Sequence, residues 1–120
     1  QDGVVPRTKL GDALVAIEQL SAQHGVRVAN VFHAGDGNLH PLILYDARKP
    51  GALDQAEALA GRILTMCVEM GGSLTGEHGI GLGKQLALVD ELGDAVDFMR
   101  TIKRALDPQN LFNPGKIFAL

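Results

Sequence analysis

The stretch Val31-Phe32-His33-Ala34-Gly35-Asp36-Gly37-Asn38-Leu39-His40-Pro41-Leu42-Ile43 decides how this chain folds. Asp-Gly between two apolar runs is a strong hairpin signal, because a type I′ turn needs positive φ at both central residues. With Asp36-Gly37 at the turn, Gly35 faces Asn38, Ala34 faces Leu39 and His33 faces His40. Directly opposed residues of an antiparallel pair project to one face, with Cβ atoms roughly 4.5–5.5 Å apart. Two imidazoles so placed can share a metal ion. A second glycine-flanked segment, Gly76-Glu77-His78-Gly79, sets a third histidine beside a carboxylate.

Outward from the hairpin, Val26 to Phe32 and Leu39 to Tyr45 are its two arms. Pro41 has no N–H for the ladder, so the second arm is expected to lie at an edge or a bulge there. Upstream, Val4-Val5 is a short extended run closed by Pro6. Leu10, Ala13, Leu14, Ile17 and Leu20 then recur at helical spacing, with Gly25 where a C′ glycine belongs. Downstream, Pro50-Gly51 precedes an amphipathic helix from Asp54 to Met70, which Gly71-Gly72 ends. Ser73-Leu74-Thr75 reads as a short strand. Two further helices are expected over 84–91 and 94–106, the last stopped by Asp107-Pro108. The order β-α-β-β-α-β is the ferredoxin-like split pattern. The fold class is therefore α+β: an antiparallel sheet with helices on one face, plus a C-terminal helical extension. We expect a single domain over 1–120, with the ferredoxin-like portion at 1–75 and the histidine loop and helical extension at 76–120.

Composition removes several function classes. A net charge of −3 with scattered basic residues argues against a nucleic-acid partner. The apolar runs are too short or interrupted to span a bilayer. The single cysteine, Cys67, excludes an internal disulfide and suits a reducing, cytoplasmic setting. Its apolar neighbours Ile63, Leu64 and Val68 mark it as core, not nucleophile. The chain opens on Gln1-Asp2-Gly3-Val4 without an initiator methionine and reads as part of a longer polypeptide.

Two imidazoles and a carboxylate leave coordination positions open, which is the catalytic metal pattern. His33, His40 and Glu77 are the candidate ligands; a histidine pair satisfied by backbone carbonyls is the alternative. His78 is the candidate general base, since an imidazole titrates near neutral pH. A glycine-rich turn with solvated polar residues is its alternative. Asp36 and Asn38 are read as turn residues, and His24 as a cation at a helix C-terminus. Arg7 is a solvated helix start that could meet a carboxylate. The run Gly79-Ile-Gly81-Leu-Gly83-Lys84 matches neither nucleotide motif. A P-loop needs glycine at His78 and Ser/Thr at Gln85, and the dinucleotide fingerprint needs glycine at Lys84.

Taken together, Val5-Pro6-Arg7, Phe32-His-Ala-Gly-Asp-Gly-Asn-Leu-His40, Gly76-Glu-His-Gly-Ile-Gly81 and Asp107-Pro-Gln-Asn-Leu-Phe-Asn-Pro-Gly-Lys116 resemble one family. It is the C-terminal part of FAD-linked 2-hydroxyacid oxidoreductases, the group of glycolate oxidase flavin subunits, D-lactate dehydrogenases and D-2-hydroxyglutarate dehydrogenases. The flavin subunit of glycolate oxidase is the nearest of these, through Asn30-Val-Phe-His33 and His40-Pro-Leu-Ile-Leu-Tyr-Asp46. The resemblance implies a divalent metal (Zn, Mn or Fe) on His33, His40 and Glu77, with His78 taking the substrate hydroxyl proton. It implies that Arg7 meets the substrate carboxylate and that Asn113 and Lys116 approach FAD. Leu42 stands where some metal-dependent members carry asparagine near the substrate, which bears on substrate identity.

In this family most FAD contacts come from a larger N-terminal domain, so alone the chain is expected neither to hold FAD tightly nor to turn over. The implied partners are a small 2-hydroxy acid, that flavin domain, and an iron–sulfur or other electron-transfer subunit that could also attach the enzyme peripherally to the inner membrane. A sheet face lacking its flavin domain would also favour a homodimer. The rival reading is a non-catalytic ferredoxin-like module binding a metal or a small acid. A metal-dependent hydrolase and a degenerate homologue are the further alternatives.

Overall fold

Leu10–His24 folds as helix α1 because its apolar positions recur every three to four residues and bury Ala13 and Ile17. It ends where expected: Gly25 sits at φ 64°, and the Val26 N–H closes the last turn on the Ser21 carbonyl. The computed structural model describes all residues, 1–120, and no helix in it is long and apolar enough to cross a membrane. Two compact units make up the chain, Gln1–His78 and Gly79–Leu120.

The first unit runs β1 (Gly3–Val4), a 3-10 turn (Arg7–Lys9), α1, β2 (Arg27–His33), β3 (Asn38–Leu44) and α2 (Ala52–Glu69). The strands form one antiparallel sheet in the order β1-β3-β2. Ser73 bridges Val4 on the other side of β1, through Val4 N–H to Ser73 O (2.8 Å) and Ser73 N–H to Val4 O (3.0 Å). This is the split βαββαβ arrangement with its fourth strand reduced to one bridge. The expected strand Ser73-Leu74-Thr75 shrinks because the chain turns immediately into the Gly76-Glu77-His78 loop.

Helices α1 and α2 cover one sheet face. Ile17, Leu39, Leu59, Ile63 and Cys67 are sealed from solvent there, each large aliphatic contributing about 1.5–3 kcal/mol by its burial. The other face carries Val31, Leu42 and Leu44, each about half exposed. Pro41 is not at an edge: it lies in the central strand, opposite Asn30. Its carbonyl accepts from the Gln1 backbone nitrogen (3.1 Å), so its missing N–H also points to the β1 side. There Gln1 stands opposite, before β1 begins at Gly3, and the Gln1 carbonyl that a ladder N–H would reach meets His40 Nδ1 instead (3.2 Å).

The second unit holds α3 (Gln85–Leu92) and α4 (Ala95–Leu106), followed by an irregular tail. Leu88 and Val96 are its buried apolar residues. Polar contacts organise the rest. The Asp107 carboxylate pairs with Lys103 and accepts from the Leu111 and Phe112 N–H groups. Lys103, followed by those two backbone donors, outweighs partial burial and holds Asp107 down to about 2. Gln85 Nε2 donates to Gly115 O (2.7 Å), and Ile117 N–H to Gly81 O (2.7 Å).

Candidate metal centre

The hairpin is real, but its turn differs from the expected one. His33 pairs with Asn38 and Val31 with His40, so four residues, Ala34 to Gly37, make the connection. The Asp36 and Gly37 N–H groups both return to the His33 carbonyl (3.1 and 3.0 Å). The register is shifted by two residues from the expected His33–His40 opposition. Because side chains alternate with a period of two, a two-residue shift preserves the face. The histidines become diagonal neighbours, with ring centroids 5.1 Å apart and planes nearly perpendicular.

Gly37 accounts for the longer loop. It sits at φ 73°, and a Cβ there would come 2.1 Å from the Val5 carbonyl oxygen. That carbonyl belongs to the residue whose N–H donates to Gly37 O (3.0 Å). The turn is thus tied to the end of β1, and only glycine permits the approach.

On the shared face, three nitrogens converge on one carboxylate oxygen. Glu77 Oε1 lies 2.8 Å from Asn38 Nδ2, 2.9 Å from His40 Nε2 and 3.2 Å from His33 Nε2. The other ring nitrogen of His40, Nδ1, is 3.2 Å from the Gln1 carbonyl. A carbonyl on Nδ1 favours the proton there and leaves the Nε2 lone pair toward the cluster, the usual way of orienting a ligating imidazole. His40 is the anchored member, its side chain 14% exposed, whereas that of His33 is 57% exposed.

The donor set fits a divalent metal. Two bonds of about 2.1 Å meeting at about 90–110° put their ligand atoms about 3.0–3.4 Å apart, close to the observed 2.9 and 3.2 Å. His78 stands alongside, its ring stacked on His40 at 5.2 Å. The structure therefore gathers all four expected residues, His33, His40, Glu77 and His78, within one unit.

Arg7 lies exposed in the 3-10 turn after Pro6, and no hydrogen bond or ion pair ties its guanidinium to this cluster. Asn113 and Lys116 belong to the second unit, where they line a cleft of about 240 Å³ with Lys103 and Asn110. That is below the roughly 300–1,000 Å³ of small-molecule pockets. Asn38 is a correction to the sequence reading. It is buried and donates to Glu77 instead of serving the turn, while its Oδ1 has no hydrogen-bond partner.

Asp2 is the participant that sequence reasoning missed. It is fully buried and accepts from Thr75 Oγ1 (2.6 Å), Gly76 N–H (2.9 Å), Glu77 N–H (3.1 Å) and His78 N–H (2.9 Å). Burial alone would raise its pKa; the Thr75 hydroxyl and the His78, Glu77 and Gly76 N–H groups outweigh it and hold the carboxyl below the ordinary range. Nothing in the spacing around Asp2 signals this, because all four donors lie more than seventy residues away.

Comparison with known proteins shows the family. The sequence profile described as "FAD linked oxidases, C-terminal domain" matches residues 1–117. Glycolate oxidase subunit GlcD of Escherichia coli K12 is 52% identical over 116 residues, 96% of this chain and 23% of that protein. The protein of the same name from Bacillus subtilis is 38% identical, covering 99% of this chain and 26% of that one. The mitochondrial D-lactate dehydrogenase [cytochrome] of Kluyveromyces lactis is also 38% identical, over 99% of this chain and 20% of its own length. The chain thus spans about a quarter of the curated relatives it matches, and it belongs to the family of C-terminal domains of FAD-linked oxidases.

Proposed function

We propose that this chain is the substrate-side domain of a flavoenzyme that oxidises a small D-2-hydroxy acid, of the glycolate or D-lactate kind, to the 2-oxo acid. The convergence of His33 Nε2, His40 Nε2 and Glu77 Oε1, with the His78 ring stacked beside them, carries this reading. The three ligands would hold a divalent ion of the Zn, Mn or Fe class, which when bound supplies Lewis-acid polarisation of the substrate hydroxyl. His78 accepts the hydroxyl proton on an imidazole nitrogen and later returns it to solvent, for which its exposed loop is suited. Arg7 is assigned to the substrate carboxylate, as a guanidinium offers a planar fork of donors.

FAD when bound supplies the hydride acceptor. It would be held by the remainder of the longer polypeptide, with Asn113 and Lys116 along one edge. The organisation we propose is one domain over 1–120 within that polypeptide. Electrons would leave through an electron-transfer partner subunit, in a cytoplasmic or peripheral inner-membrane setting.

The test is anaerobic flavin bleaching in the full-length protein, across D- and L-2-hydroxy acids, with and without chelator. Bleaching by a D-acid that chelation abolishes is the expected result. A flavin that no acid bleaches overturns the proposal and favours the metal- or acid-binding module.

A further inference from the structure

We infer that Asp2 is a positioning residue for the metal centre. Its carboxylate holds the Gly76–His78 backbone so that the Glu77 carboxylate and the His78 ring are presented to His33 and His40. The inference rests on the proposed metal site but concerns a residue outside its ligand set.

The argument begins with exposure. Gly76, Glu77 and His78 are all solvent-exposed, and they fall outside any helix or strand. A loop of that kind, with glycine at 76 and 79, would ordinarily sample many conformations. Asp2 removes that freedom. Three consecutive backbone N–H groups and the Thr75 hydroxyl point at one carboxylate, a concave nest of donors closed by an anion. The anion is itself immobile, because Asp2 is fully buried and precedes β1, which is paired to β3.

Strand β3 also carries His40, and the neighbouring Gln1 carbonyl orients His40 Nδ1. Consecutive residues of one segment, Gln1 and Asp2, therefore fix two sides of the cluster. Gln1 faces the histidine, and Asp2 faces the loop that brings the carboxylate and the base. Charge-assisted bonds of this kind are stronger than neutral ones. Removing a group that orients a metal ligand typically costs about 10–100-fold in affinity.

The experiment uses the full-length flavoprotein, stripped of metal, in wild-type, Asp2→Asn, Thr75→Val and His40→Ala forms. Mn²⁺ affinity is measured by calorimetry, and amide hydrogen exchange is followed at residues 76–78 and in the α2 core at Ile63 and Cys67. Asp2→Asn keeps the size of the side chain but presents an amide to donors, so exchange at 76–78 should quicken at least tenfold while the α2 amides stay protected. Mn²⁺ affinity should fall about 10–100-fold, with kcat reduced more than KM is raised. Thr75→Val removes one donor of four and should shift both readouts in the same direction by a few-fold, which covers an Asp2 variant that does not fold.

Unchanged exchange at 76–78 in both variants overturns the inference. So does quickened exchange with Mn²⁺ affinity intact in a protein whose His40→Ala form has lost it. If wild type binds no Mn²⁺, the metal reading itself fails. The exchange data then decide whether Asp2 still orders the loop that carries His78.

Discussion

The two compact units solve the problem of staying folded in different ways. Residues 1–78 bury a continuous apolar cluster in which Ile17, Leu39, Leu59 and Ile63 are sealed from solvent. Residues 79–120 bury only Leu88 and Val96 among their apolar side chains, while Leu86, Phe98, Leu106, Leu111 and Phe112 remain largely exposed. In the second unit order comes from polar devices: the Asp107 carboxylate on Lys103, Leu111 and Phe112, and Gln85 on Gly115. A catalytic cluster must hold its groups within fractions of an ångström. The difference bears on the proposed metal cluster, whose four residues, His33, His40, Glu77 and His78, sit on the well-packed unit.

The largest effects should come from breaking the first unit's core. Leu59→Ala or Ile63→Ala is expected to cost about 2–5 kcal/mol in chemical denaturation, whereas Phe98→Ser or Leu106→Ser, at exposed positions, should stay within about 0.5 kcal/mol. Equal losses in both units would erase the contrast. Next in size is Gly37→Ala. It forces a side chain into positive φ and against the Val5 carbonyl, for a cost of about 1–3 kcal/mol. Because His33 and Asn38 flank this turn, metal affinity should fall as well, as titration of the full-length protein would show.

A smaller effect distinguishes the polar devices of the second unit by pH. The Asp107 carboxyl is lowered from 3.8 to about 2, so its contribution is fully present above pH 3.8. It is lost as pH falls from there through 2. Protection factors at Leu111 and Phe112, normalised by the intrinsic exchange rate at each pH, should fall across that window, and Asp107→Asn should make them low at every pH. The smallest effect belongs to Arg48, whose exposed pair with Asp46 should leave the unfolding midpoint unmoved when Arg48 becomes alanine.

Much of this architecture was legible in the chain. The four helices and both hairpin arms follow from apolar spacing and from glycine and proline punctuation, and the ends of α1 and α4 fall where Gly25 and Asp107 place them. His33, His40, Glu77 and His78 stood out as histidines and a carboxylate in glycine-flanked segments. Locally, Asp36-Gly37 satisfies a two-residue connection, whereas the folded hairpin uses four residues. The tie between Gly37 and Val5, 32 residues apart in the chain, selects the longer one. The sequence predicts an edge or a bulge at Pro41, and nothing local says that β1 begins only at Gly3, beyond the residue opposite Pro41. The sequence assigns Asn38 to the turn, since its partner, Glu77, lies 39 residues away.

The sequence by itself determined which elements form and which side chains have the chemistry to bind a metal and move a proton. Those properties are local: periodicity sets helices and strands, and imidazole and carboxylate chemistry travels with the residue. Tertiary structure decided the register, the reduction of the fourth strand to a single bridge, and the roles of Asp2 and Asn38. These depend on groups distant in sequence whose donors and acceptors must be satisfied once buried. A buried carboxylate is stable only where donors surround it, and which donors those are is settled when the chain has closed on itself.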